Sequence, residues 1–295
     1  MYRVKHVIIG LFSVLILRSV CANAQDEVYS PYFVAYDHHM EEVGSLDIEA
    51  DAVVGLAHDI NTFVGVAPQF EYGLRRWWTT ELYLDMQHTK HEGSLFTGFR
   101  IENRFRLFLE EHKINPVLYV EYENINEADK ILKEIVGFDS REDLAVPNSI
   151  ARHIKAHEME GRLILSSQIK EWNFTGNFIT EKNVVEAQPW EFGYALGLSG
   201  PVTSLVGKRC MFCKGYLTAG LELYGGAGTW DKFTIRGTSQ YIAPILQWTL
   251  PSSTRIHISP GWGLTDQSVR MLFRFGVSQE VDDIGHQIGK LFGRH

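Results

Sequence analysis

Three observations predict an all-β, membrane-crossing chain. Apolar and polar residues alternate with period two in segments of ten residues or more, and such segments return about twelve times between residues 43 and 279. Each segment, at about 3.4 Å per residue and tilted about 40°, is long enough to cross the hydrocarbon core of a bilayer. After residue 24 there are nowhere 18 consecutive apolar residues, so no helix is expected to span a membrane. The expected fold is a transmembrane antiparallel up-and-down β-barrel of about twelve strands, with a helical extracellular loop and a short C-terminal amphipathic helix.

The elements follow in chain order. Residues 1–24 read as a secretory signal peptide, with Arg3 and Lys5 before the apolar run Val7–Leu17 and an A-x-A site at Ala22-Asn23-Ala24. That run is too short for a spanning helix. Arg18-Ser19-Val20 before Cys21 suits a lipoprotein signal poorly. Residues 25–42 are expected as a periplasmic lead-in, with His38-His39 solvated, and residues 43–279 as the barrel.

Segment 45–56 sets Leu46, Ile48 and Val54 against Asp47, Glu49 and Asp51. Segment 62–74 sets Val64, Val66 and Phe70 against Gln69 and Glu71. Segment 77–88 sets Trp78, Leu82, Leu84 and Met86 against Glu81 and Asp85. In SLFTGFRIENRFRLF, 94–108, Phe99, Ile101, Phe105 and Leu107 share one parity. Phe96, Arg100, Glu102, Arg104 and Arg106 share the other. Segment 116–123 alternates Leu118, Val120 and Tyr122 with Tyr119, Glu121 and Glu123.

A long connection, 124–157, interrupts the pattern. Ile131, Leu132, Ile135 and Val136 recur there at helical spacing, and Pro147-Asn148 opens a second short helix with Asn148 as cap. Alternation resumes over 158–169, 172–181, 190–199, 215–225, 240–250, 255–264 and 269–278. Tyr72, Trp78, Trp172, Trp190, Trp248 and Trp262 stand near strand ends on the apolar parity, as interfacial girdles do. In the tail, 280–295, Ile284, Ile288, Leu291 and Phe292 fall on one helical face. With the N-terminus in the periplasm, the longest connection faces outward, as outer loops do in such barrels.

The pattern over about residues 43–279 resembles the bacterial outer-membrane β-barrel superfamily, in its porin-like members, without fixing a subfamily. The resemblance implies an outer-membrane location, contact with outer-membrane lipid and insertion by the outer-membrane assembly machinery. The closing strand VRMLFRFGV carries the superfamily's alternating aromatics, but the chain runs on through DDIGHQIGKLFGRH instead of stopping on one.

Parity then assigns the chemistry. Arg100, Glu102, Arg104 and Arg106 face the lumen, between acidic rows from Glu81 and Asp85 on one side and Glu121 and Glu123 on the other. Glu49, Asp51, Glu158, Glu160, Arg162, Glu222, Arg255, Arg270 and Arg274 are expected inside as well. Such rows either lock as ion pairs or, in a hydrated lumen, sort solutes by charge. The expected function is a porin-like or transport-related channel, with a non-conducting structural or periplasmic-partner-binding barrel as the alternative and a rim hydrolase third.

No residue set reads as catalytic or metal-binding, and no cofactor is expected. His257 and Ser259 share one inward face, but a same-strand pair makes a poor dyad. GGAGTW, 225–230, opens no helix and so fails as a phosphate cradle. Losing Arg3, Lys5 and Arg18 with the signal takes the net charge from −8 to about −11, and no basic stripe offers a site for nucleic acid. Cys210 and Cys213, at C-x-x-C spacing, read as a disulfide, as a redox or metal pair or, least favoured because Lys214 stands where C-x-x-C-H has its His, as a haem attachment. A lone C-x-x-C excludes a Cys₄ zinc site within one chain. The connection 200–214 that holds them is the expected contact for a periplasmic protein.

Overall fold

The computed structural model describes residues 30–56, 60–131, 136–206, 217–250 and 252–284. Residues 1–24, expected as a signal peptide, Cys210 and Cys213, and residues 285–295 of the expected tail lie outside the described residues.

Strands β1 (Leu46–Leu56), β2 (Phe63–Arg75), β3 (Trp78–Thr89), β4 (Gly93–Arg106) and β5 (Asn115–Asn126) precede the long connection. Strands β6 (Lys155–Ile169), β7 (Trp172–Asn183), β8 (Glu191–Pro201) and β9 (Leu217–Thr229) follow it. A two-residue strand β10 (Lys232–Phe233) folds back on β9, and β11 (Gln240–Thr249), β12 (Thr254–Gly263) and β13 (Met271–Val281) complete the sheet. Every barrel strand pairs antiparallel with its neighbours, and β13 pairs with β1, so twelve strands close on themselves. Closure leaves no unpaired edge, which lipid would not tolerate.

Burial follows the alternation with polarity inverted relative to a soluble barrel. Ile101, Leu118, Val120, Leu163, Phe178, Leu196, Leu221 and Phe275 are exposed. Glu81, Asp85, Arg100, Glu102, Glu121, Glu160, Arg162, Glu222 and Arg274 are buried. An apolar exterior costs free energy in water and none in hydrocarbon, so the outer face lies in lipid. Exposed Trp190, Trp230 and Trp262 mark one rim; Trp77 and Trp248 mark the other. The chain is a closed twelve-strand antiparallel β-barrel with its apolar face outward. No helix among the described residues is long and apolar enough to cross a membrane.

Two parities differ from expectation. In β4 the register shifts beside Asp85, which pairs with Gly98 while Met86 pairs with Phe96. Thr97 is the extra residue of a bulge. Phe96, expected inside, is therefore 57 % exposed, and Thr97 is buried and donates to Asp129. The bulge depends on Gly98, whose φ is +158° and whose added Cβ would stand 2.1 Å from the Asn124 carbonyl oxygen. Arg270, also expected inside, is exposed one residue ahead of β13, and Val269 is buried in its place.

The long connection caps one mouth. Its helices are single turns, α1 (Arg141–Leu144), which carries a capping box from Ser140 and Asp143, and α2 (Asn148–Ala151). The cap of α2 is Pro147 rather than the expected Asn148. Asn148 instead accepts a hydrogen bond from Gln87 (2.8 Å), inside the barrel. Val136, expected in a helix, bridges Gly193, and Gly137 bridges Gly228 within GGAGTW. A third short helix, α3 (Val202–Val206), follows β8 at the other end.

Candidate functional site

The inward charges of β4 are held by their neighbours on both sides, as the alternating rows require. Arg100 forks onto Asp85 of β3 (2.8 and 3.2 Å) and reaches Glu121 of β5 (3.4 Å). Its guanidinium also lies 4.0 Å from the centre of the Tyr83 ring. Arg104 pairs with Glu71 of β2, with Glu102 (2.8 Å) and, at 3.8 Å, with Glu81. Glu102 accepts from the hydroxyl groups of Tyr83 (2.7 Å) and Tyr36 (3.0 Å). Arg106, at the rim, reaches Glu111 (3.3 Å). Glu123 joins Glu160 and Glu181 in an acidic cluster across β5, β6 and β7. A buried ion pair such as Arg100–Asp85 is costly to break, about 3–5 kcal/mol, because the survivor keeps its charge without a partner.

Residues 30–42, expected as a periplasmic lead-in, instead run inside the barrel over their described part. A single carboxylate oxygen of Glu222, on β9, accepts the backbone N–H groups of Phe33 (3.2 Å), Val34 (2.8 Å) and Ala35 (2.8 Å). Arg162, on β6, donates to the Val34 carbonyl (2.8 Å). The Asn177 amide pairs with both backbone groups of Tyr36, accepting at 2.6 Å and donating at 2.8 Å, as a neighbouring strand would. Tyr32 donates to Asn173 (3.0 Å), and Phe33 stacks on His257 with ring centres 4.4 Å apart. His38, expected in solvent, is 1 % exposed. These partners come from nearly every side of the wall, so the segment occupies the lumen.

His38 also stands between Ser166 Oγ (2.7 Å from Nδ1) and Glu111 Oε2 (3.0 Å from Nε2). The order is that of a nucleophile, a base and an orienter. Ser166 is buried, however, and does not line the lumen cavity, so the contact docks the segment onto β6. His257 and Ser259 do not form the same-strand pair: His257 turns toward Glu49 and Asp51, and Ser259 Oγ is buried without a hydrogen-bond partner.

Between the N-terminal segment and the wall lies a cavity of about 320 Å³. Its carboxylates come mainly from β1–β3: Asp47, Glu49, Asp51, Glu71 and Glu81. Arginines flank this sector on both sides, Arg100, Arg104 and Arg162 on β4 and β6, Arg255 and Arg274 on β12 and β13. Of the eight lumen residues singled out from the β3–β5 rows, Arg100, Arg104 and Glu81 reach the cavity; Glu102, Asp85 and Glu121 stand behind them as ion-pair partners. The anchors Glu222, Asn177 and Asn173 were not legible as such. The available signal was PYFVAYDHHM, too aromatic for a solvated lead-in.

No protein-family model matches the chain, and no curated protein matches it. Among solved structures it is similar to the NanC porin, with 10 % identity over 80 % of this chain and 100 % of that one, and a TM-score of 0.49. It is also similar to an outer-membrane channel from Pseudomonas putida F1, with 11 % identity over 85 % of this chain and 100 % of that one, at TM-score 0.49. LpxR from Salmonella typhimurium matches with 10 % identity over 80 % of this chain and 99 % of that one, at TM-score 0.37.

Proposed function

We propose that the protein is a porin-like channel of the outer membrane that passes small charged solutes and sorts them by charge. The observation that carries this reading is the lumen cavity, with a carboxylate sector on β1–β3 between two arginine sectors. Fixed charges of opposite sign facing one narrow aqueous space create a field across it, which sets different barriers for anions and cations. The N-terminal segment is then the internal constriction, anchored to the wall at Glu222, Arg162 and Asn177.

Single-channel recording in planar bilayers tests the proposal. The wild-type barrel should conduct in small steps, and a variant lacking residues 30–42 should conduct in larger ones. Silence from both forms, with insertion confirmed, would overturn the channel reading in favour of a non-conducting structural or partner-binding barrel.

A further inference from the structure

On the wall of the same cavity, one imidazole and two carboxylates converge from strands that are not neighbours. Asp51 on β1 and His257 on β12 both pair with Gly276 of β13, so the three residues form one row across three strands. A side chain at the middle position would separate the outer two. A Cβ added to Gly276 would lie 1.9 Å from His257 Nε2 and 2.3 Å from Asp51 Oδ1. Glycine weakens a strand interior, and here its place is accounted for by the approach of those two groups over it.

Glu49, two residues along β1, completes the set: His257 Nε2 lies 2.8 Å from Glu49 Oε1 and 3.4 Å from Asp51 Oδ1. His257 is 5 % exposed, and both its Nε2 and Asp51 Oδ1 are buried without a hydrogen bond of proper direction. Donor atoms that converge without being aligned to bond one another are placed for a third body between them.

We propose that Glu49, Asp51 and His257 bind a divalent transition-metal ion in the lumen. One imidazole nitrogen with two carboxylate oxygens suits zinc, cobalt, nickel or manganese better than calcium or magnesium, which take oxygen alone. Ligands about 2.0–2.1 Å from a zinc ion stand about 3.0–3.4 Å from one another, so the site needs only a few tenths of an ångström of adjustment. Charge agrees. Arg255 is already paired with Asp47, which leaves the two carboxylates beside an imidazole that binds metal in its neutral form. Phe33 stacks on the His257 ring and fixes its direction, and the cavity leaves the remaining coordination positions open to water or solute. The site does not depend on whether the lumen conducts.

The test uses the full barrel, purified in detergent, stripped with a chelator and titrated with Co²⁺ and Zn²⁺. The expected result is one equivalent of Co²⁺ with a visible absorption band, displaced by Zn²⁺. Asp51→Asn, nearly isosteric, should abolish the band. Gly276→Ala, which leaves all three ligands in place but forces them apart, should weaken binding on the order of 10–100-fold. Heat-modifiable gel migration reports whether each variant has folded. The chain has 12 histidines, so binding that survives in folded Asp51→Asn would assign the metal elsewhere and overturn the proposal. So would wild-type protein that takes up less than one equivalent. If the variants do not fold, X-ray absorption on the zinc-loaded wild type decides: one nitrogen among oxygen ligands supports the site, and a shell of several histidines refutes it.

Discussion

Glu222→Ala should release the N-terminal segment from the lumen while leaving the barrel closed. In the native protein one oxygen of Glu222 accepts three backbone N–H groups, from Phe33, Val34 and Ala35. A hydrogen bond to a charged group contributes roughly 1.5–3 kcal/mol, and three donors sharing one oxygen contribute less than three times that. A combined loss of roughly 3–4 kcal/mol is a moderate estimate on that scale, and at 1.4 kcal/mol per factor of ten it is roughly a 100–1000-fold rise in the undocked population. Glu222→Gln keeps an acceptor oxygen and removes the charge, so it should lose about half as much on the same scale. Amide hydrogen exchange read by mass spectrometry follows this directly, because local opening controls exchange in segments that open without global unfolding. Peptides covering 30–42 should lose protection in the order wild type, Glu222→Gln, Glu222→Ala, with strand peptides unchanged. Unaltered protection of 30–42 in a folded Glu222→Ala barrel would refute the docking mechanism.

Other perturbations test the wall. Ile101→Arg places a charge on the lipid face near mid-strand and should cost about 2–4 kcal/mol, seen as loss of the heat-modifiable folded band; Phe96→Arg, on the same face but near a rim, should cost about 0–1 kcal/mol. Equal behaviour of the two would contradict the depth assigned to them. Gly98→Ala should destabilise by about 1–3 kcal/mol through strain at the β4 bulge, measured as a lowered urea midpoint. Replacing Arg100, Arg104 and Arg106 by Gln should move ion preference toward cations, and an unchanged reversal potential under a salt gradient would remove these residues from the pathway. Cys210 and Cys213, expected on the oxidising periplasmic side, should be joined, so the peptide holding both should resist alkylation and be two hydrogen atoms lighter than its dithiol form. Free thiols there would exclude the bridge.

What the sequence determined by itself is the barrel. Period-two alternation over long segments is a local property, and it leaves a chain that crosses lipid one choice of face per strand. Ile101 out and Arg100 in could be read from parity, as could a basic row on β4 lying between acidic rows on β3 and β5; that Arg100 pairs with Asp85 and Glu121, when Tyr83 and Glu123 stand opposite it in register, could not. Parity fails where the backbone gains a residue, and nothing in the alternation marks Thr97 as the extra one; the register with β3 decided that Phe96 faces lipid. The tertiary structure alone decided the contents of the lumen. Residues 30–42 have no strand periodicity, and the groups that hold them lie far off in the chain, at Arg162, Asn177 and Glu222. The meeting of Asp51 with His257 is likewise invisible in sequence, because closure of the barrel joins β1 to β13, and Gly276 matters only once both its neighbours lean over it. Alternation says which way a side chain points; closure decides what it meets.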